Sequence, residues 1–268
     1  MTHVQMESAD HEIDNFDVRA LRTFALIGVP SGWLFLGIPV ALDIAVEPFV
    51  LLTLLFGLVI PAVILTRRGP GGSARGLVRD SFRPARPAWL MIPALLTVPV
   101  LSWFIARPLG GAEPVDRELL VTLLINIGSS LLIVNIWEEM AWMGFFQRRA
   151  MARWGQVPGS LVTAALFVGI HLPLAFIGAD TGRRLAINLA VLVGSSIGLR
   201  LLLAFTDIIT VRSILTVAIL HAAWNATGEL LDAEHDWVRY VVTITLGVLS
   251  AATPAMRGRR PRSSDTAA

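Results

Sequence analysis

Residues 131–146 read Leu-Leu-Ile-Val-Asn-Ile-Trp-Glu-Glu-Met-Ala-Trp-Met-Gly-Phe-Phe, and two adjacent carboxylates, Glu138 and Glu139, interrupt this apolar run. A charged side chain at the centre of a membrane helix costs roughly 2.5–3.5 kcal/mol on insertion scales. A pair of such residues therefore indicates a function. The run is the first candidate site in the chain.

The composition predicts a membrane protein. Of the 268 residues, 54% are hydrophobic and 16% are charged, and the mean hydropathy is +0.67. Soluble domains carry about 25% charged residues. We therefore expect an all-α, polytopic membrane helix bundle. The chain has no cysteine, which excludes disulfides and thiolate chemistry.

Apolar segments of about 20 residues are long enough to cross a bilayer. The sequence predicts about eight of them, with six or seven as alternatives. Their approximate bounds are 21–42, 48–66, 88–106, 119–147, 158–177, 185–204, 208–228 and 237–255. We expect one transmembrane domain over 21–255, preceded by a polar tail over 1–20 and followed by a basic, disordered tail over 256–268.

The distribution of arginine predicts the orientation of the bundle. All 22 basic residues are arginine, and six of them lie in the loop 67–86, whereas the loop 229–236 is acidic. The positive-inside rule then places both termini in the cytoplasm. The pI of about 10.2 reflects these topological arginines rather than nucleic-acid binding. An arginine-only chain without cysteine further suggests a bacterial cell membrane.

Two histidines, His171 and His221, are the only ones in apolar sequence. Counted from the nearest cytoplasmic anchor, Glu138, His171 and His221 lie roughly 16, 20 and 14 Å deep at 1.5 Å per residue. These depths fall in one layer of a hydrocarbon core about 30 Å thick. Because ionisable residues at this depth rarely face lipid, we expect them to meet in one hydrated pocket.

Local spacing refines this pocket. His221 and Asn225 are four residues apart, so they share a helical face. Glu138 and Glu139 differ by about 100° around their helix, so only one of them can point straight into the pocket. Pro173 follows His171 by two positions and should disturb the backbone there.

These side chains support two kinds of hydrolysis. In the first, Glu138 beside His171 deprotonates a water as a general base, and His221 and Asn225 donate hydrogen bonds to the oxyanion. In the second, Glu138, His171 and His221 bind a divalent metal such as zinc, which activates the water. The His-Glu-x-x-His motif of common zinc proteases is absent from the sequence.

Three ordered motifs resemble the CPBP family of CAAX prenyl endopeptidases and bacteriocin-processing (Abi-type) membrane proteases. They are Glu138-Glu139 with Trp142 and Gly144, Phe167-x-x-x-His171, and His221-x-x-x-Asn225, so the motif core covers 138–225. The resemblance implies an endopeptidase whose partners are membrane lipid and a membrane-associated peptide. It assigns water activation to Glu138 and His171, oxyanion stabilisation to His221 and Asn225, and a supporting role to Glu139.

One position departs from the family pattern. The family's first motif usually reads Glu-Glu-x-x-x-Arg, and Met143 stands at the arginine position. Glu139 then has to be protonated, or to pair with Arg148, Arg149 or another helix. On sequence grounds we expect Met143→Arg to be tolerated or activating.

Two other functions remain open on the sequence. A catalytically silent family member would act as a membrane scaffold or a bacteriocin-immunity factor, and Met143 is the only hint of it. A proton-coupled transporter also uses intramembrane Glu and His. Inverted repeats with broken helices would favour transport, but the sequence gives no sign of them.

Overall fold

A computed structural model describes the backbone of residues 3–257 and the side chains of residues 17–257. Within this part of the chain the backbone is helical almost throughout and forms no β-strand. We number the helices as follows: α1 His3–Leu42, α2 Glu47–Arg68, α3 Ala74–Ser81, α4 Ala88–Leu109, α5 Arg117–Trp154, α6 Gln156–Phe176, α7 Gly182–Ile209, α8 Ile214–Ala226, α9 Trp237–Ala251 and α10 Pro254–Arg257. The predicted all-α membrane bundle is confirmed.

Six helices in the described part of the chain are long and apolar enough to cross a membrane: α2, α4, α5, α6, α7 and the portion Asp17–Leu42 of α1. They correspond to the first six predicted spans. The seventh and eighth, α8 and α9, have only 13 and 15 residues. The predicted start of the seventh at 208 is too early because α7 continues to Ile209.

The described residues at both ends of the chain are helical. Residues 3–20, which the sequence sets apart as a tail, continue the helix α1. Residues 256 and 257 belong to the short helix α10. The rest of the expected C-terminal tail, 258–268, lies outside the described residues.

A buried carboxylate holds the turn between α7 and α8. Asp207 accepts hydrogen bonds from Arg148 at 2.6 Å and from Arg212 at 2.8 Å. Val211 and Arg212 have positive φ angles of 55° and 64°, which are unfavourable for residues with a Cβ. The ion pairs stabilise this strained turn, and so they set where α8 begins.

Helices α7 and α9 approach each other at two glycines. A Cβ on Gly198 would overlap the backbone of Ile244, and a Cβ on Gly247 would overlap the backbone of Gly198. Small residues at such crossings allow two helix backbones to touch. The contact fixes the part of α7 that lies next to Arg200.

The helix α5 is irregular around the two glutamates. Its segments Leu131–Asn135 and Met140–Gln147 are π-helical, and the α-helical turn Ile136–Glu139 lies between them. π-Helical turns within α-helices occur frequently at functional sites. The widened turns set the directions in which Glu138 and Glu139 leave the helix.

Candidate active site

Glu139 forms a buried ion pair that the sequence did not reveal. The guanidinium of Arg200 on α7 donates to Oε2 and Oε1 of Glu139 at 3.0 and 2.9 Å, and both side chains are fully buried. Nδ1 of His221 on α8 lies 2.7 Å from Oε1 of the same carboxylate. Because the two arginine N–H groups occupy an ionised carboxylate, Nδ1 of His221 is the donor in the third bond. Three helices therefore meet at Glu139.

Several contacts fix Arg200 in this position. The side-chain amide of Gln147 donates to the backbone carbonyl of Arg200 at 2.8 Å and to the hydroxyl of Ser160 at 3.2 Å. The guanidinium carbon lies 4.6 Å from the ring centre of Phe167 and 5.4 Å from that of Trp142. Desolvated contacts of this kind between a cation and an aromatic face are favourable by up to about 2 kcal/mol.

Arg200 supplies the partner that the motif lacks at Met143. Of the two arginines suggested by the sequence, Arg148 pairs with Asp207 and Arg149 pairs with Asp17. The cation comes from another helix instead. A sequence signal existed, because Arg200 is a single charge within the apolar run 197–204. Only the packing of α7 against α5 identifies its partner.

Glu138 points away from this cluster, as the 100° separation predicted. It is 7% exposed, and its carboxylate makes no hydrogen bond to any described residue. Together with His171 it lines a cavity of about 50 Å³ whose other walls are mainly apolar residues of α1 and α2. A cavity of this size holds at least one water, which needs roughly 10–15 Å³.

The ring of His171 is held in a defined state. Its Nδ1 lies 2.9 Å from the carbonyl oxygen of Phe167, which can only accept, so the proton is on Nδ1. The two rings stack with their centres 4.1 Å apart. The α-helix ends at His171 and continues as a 3₁₀ turn through Pro173, as the proline predicted. Nε2 is left as the lone-pair nitrogen of the imidazole.

The side chain of Asn225 is hydrogen-bonded neither to the cluster around Glu139 nor to the pair of Glu138 and His171. Its amide donates to Oδ1 of Asn135 at 3.3 Å, and the same oxygen accepts from the hydroxyl of Ser130 at 2.6 Å. Asn225 faces a second cavity, of about 380 Å³, and Val134 lines this cavity as well as the smaller one. His221 and Asn225 therefore make different contacts, although they share a helical face.

The Glu138–His171 pair and the cluster of Glu139, Arg200 and His221 are neighbours at His171. This imidazole lines the same cavity as Glu138, and it is near enough to Arg200 and His221 to interact with their charges. Phe167 stacks on His171 with one face and contacts the guanidinium of Arg200. Glu138, Glu139, His171 and His221 thus form one polar layer inside an apolar bundle.

The metal alternative does not fit this geometry. Among residues 17–257, no three His, Cys, Asp or Glu side chains come close enough to bind a metal ion, so Glu138, His171 and His221 are not a ligand set. His221 is bonded to Glu139, and the cationic guanidinium of Arg200 adjoins it. A neighbouring cation opposes the binding of a divalent metal. The suggestion of a metalloprotease is therefore not supported.

A polytopic bundle with acid and imidazole side chains in one buried layer is compatible with an intramembrane hydrolase. Residues 120–227, which include all five predicted site residues, match a family model described as type II CAAX prenyl endopeptidase Rce1-like. This match supports assignment to the CPBP/CAAX protease family and confirms the resemblance of the three motifs. A comparison with curated proteins gave no match.

Proposed function

We propose that this protein is an intramembrane endopeptidase that activates water with Glu138 and His171. One observation carries the proposal. The carboxylate of Glu138 is nearly buried, has no hydrogen-bond partner among the described residues, and shares a water-sized cavity with His171. A buried polar group without a partner is unfavourable unless a bound molecule satisfies it. Water is the molecule that this cavity fits.

The reaction begins at that water. Glu138 takes one proton as the oxygen attacks the carbonyl carbon of the substrate, and Nε2 of His171 accepts a hydrogen bond from the second proton. The tetrahedral intermediate collapses when Glu138 returns the proton to the leaving amine. General acid–base catalysis of this kind contributes about 10²–10⁴-fold to a rate.

His221 supports the same reaction as an oxyanion donor in this proposal. Its Nδ1–H is committed to Glu139, so Nε2 donates to an oxyanion only when the ring carries a second proton. Glu139 orients the ring through Nδ1, and Arg200 keeps Glu139 ionised and oriented. Arg200 is thus a positioning residue. Removing one oxyanion donor lowers a rate by roughly 10²–10³-fold.

Asn225 is the second oxyanion donor in this proposal. Only one of its two amide protons is committed, to Asn135 at 3.3 Å. Asn225 lines the larger cavity, which adjoins the water cavity at Val134. A substrate carbonyl lying near Val134 would have Glu138 on one side and Asn225 on the other.

The family membership supports a peptide substrate beside or within the membrane. The arginine pattern supports an integral protein of a bacterial cell membrane with both termini in the cytoplasm. The silent-scaffold alternative loses its one sequence hint, because Arg200 replaces the missing arginine at Met143. A role in bacteriocin immunity without hydrolysis remains an outcome of the test below.

The test is cleavage of a membrane-peptide library by the protein in liposomes. We compare the wild type with Glu138→Ala, His171→Ala and His221→Ala, each with and without a chelator. Glu118→Ala, an exposed glutamate on the same helix, and His235→Ala are the matched controls. We expect cleavage by the wild type and both controls only. Equal cleavage by every variant would contradict the assignment, and a folded wild type without cleavage would favour the scaffold.

A further inference from the structure

A polar stripe runs along one face of α5 towards the glutamate that faces the water cavity. Asn126, Ser130 and Val134 line one cavity, and Val134 and Glu138 line the next one along the helix. Ser129 lies beside them. All members of this stripe except Val134 are polar, although they lie in a candidate membrane span.

The remaining surface of the same helix is apolar and open. Leu124, Ile125 and Leu132 are 65%, 62% and 64% exposed, as expected for side chains that contact lipid. A polar stripe on such a helix does not face hydrocarbon, because unsatisfied polar groups are expensive there. It faces protein or a water-filled space.

The structure contains such a space. The cavity of about 380 Å³ lies between α5 and the end of α8 and is widely open to the exterior, where Ile133 on its rim is 56% exposed. We call it the vestibule. Its polar lining is Asn126, Ser129, Ser130, Asn225 and Glu229. One of its buried neighbours, Asn135, has a side-chain N–H group with no partner among the described residues. Val134 is the residue through which the vestibule adjoins the cavity of Glu138 and His171.

We propose that the vestibule is the binding site for an extended peptide segment of the substrate and the route by which water reaches Glu138. The segment lies along the polar stripe of α5. Its backbone amides pair with the hydroxyl and amide side chains, because an extended peptide carries unpaired N–H and C=O groups into the membrane. Val134 narrows the passage to the scissile bond. The inference rests on the proposed endopeptidase function.

The chain has no cysteine, so single cysteines report the environment of one position cleanly. Asn126→Cys and Ser129→Cys are compared with Ile125→Cys and Leu124→Cys, their neighbours on the lipid face. The probe is a charged, membrane-impermeant methanethiosulfonate, added to proteoliposomes from inside and outside. We expect modification about tenfold or more faster on the vestibule face, because the thiolate needs water to form. Equal, slow modification of all four would overturn the vestibule.

A second variant tests the passage. Val134→Trp should abolish cleavage of the peptide library, whereas labelling of the Asn126→Cys variant in the same background should remain fast. Leu132→Trp, on the exposed apolar side of the same helix, is the matched control and should cleave normally. Normal cleavage by Val134→Trp, with the thiol of Asn126→Cys still accessible, would overturn the route. The labelling does not depend on activity, so it holds or fails separately from the endopeptidase proposal.

Discussion

Arg200 donates two hydrogen bonds, of 3.0 and 2.9 Å, to the two carboxylate oxygens of Glu139, and neither side chain is accessible to solvent. The pair joins α7 to α5, and His221 on α8 is bonded to the same carboxylate. The arginine that the family places one turn after the glutamate is here supplied by a different helix.

Breaking this pair should destabilise the fold. Arg200→Met leaves Glu139 buried beside the imidazole alone, and removal of one partner of a buried pair costs about 3–5 kcal/mol. Arg200→Lys should be intermediate, because an ammonium cannot form the two parallel bonds. Thermal unfolding in detergent measures both effects.

The double variant Glu139→Met with Arg200→Met separates stability from catalysis. Replacing both charges by apolar side chains should restore most of the stability lost in Arg200→Met. Cleavage should stay low, since His221 loses the carboxylate that orients it. Full cleavage by this double variant would show that Arg200 and Glu139 have no positioning role.

The neighbouring glutamates should respond oppositely to the same substitution. Glu138→Gln should leave the melting temperature unchanged or raised, because this side chain has no hydrogen-bond partner among the described residues. Its rate of peptide cleavage should fall by about 10²–10⁴-fold. Glu139→Gln should unfold at a lower temperature, because Arg200 is left without its counter-ion. A lower melting temperature for Glu138→Gln alone would contradict this difference.

The structure changes the expectation for Met143→Arg. Met143 is completely buried in the apolar core that includes Leu199 and Val217, and Arg200 already neutralises Glu139. A second guanidinium would be an unpaired buried charge, so we expect destabilisation rather than activation. Combining Met143→Arg with Arg200→Met should recover part of the stability. Unfolding curves of the two single variants and the double variant, compared with the wild type, measure this loss and recovery of stability.

The crossing of α7 and α9 gives a prediction that is independent of catalysis. Gly198→Ala should destabilise the protein by about 1–3 kcal/mol, because the new methyl group meets the backbone of Ile244. Gly128→Ala on α5 is the control. A Cβ there meets nothing within 4 Å, and alanine favours a helix by about 0.8–1.0 kcal/mol over glycine. Equal melting temperatures for the two variants would refute close packing at Gly198.

The spacing of residues along each helix predicted the depth of the site residues but not the directions in which they point. Depth along each helix placed Glu138, His171 and His221 in one layer, and the structure puts them on three helices around one polar region. Depth gives no information on rotation. For that reason the sequence joined His221 to Asn225, whereas the side chains contact Glu139 and Asn135.

The sequence by itself determined the family resemblance, most of the membrane helices and the residues proposed to carry chemistry. These features are local, because hydrophobicity is summed over one segment and the motifs lie within single helical turns. The tertiary structure decided the partners: Arg200 for Glu139, the cavity for Glu138, and Asn135 for Asn225. Each depends on how one helix is rotated against another, which follows from the packing of many distant side chains at once.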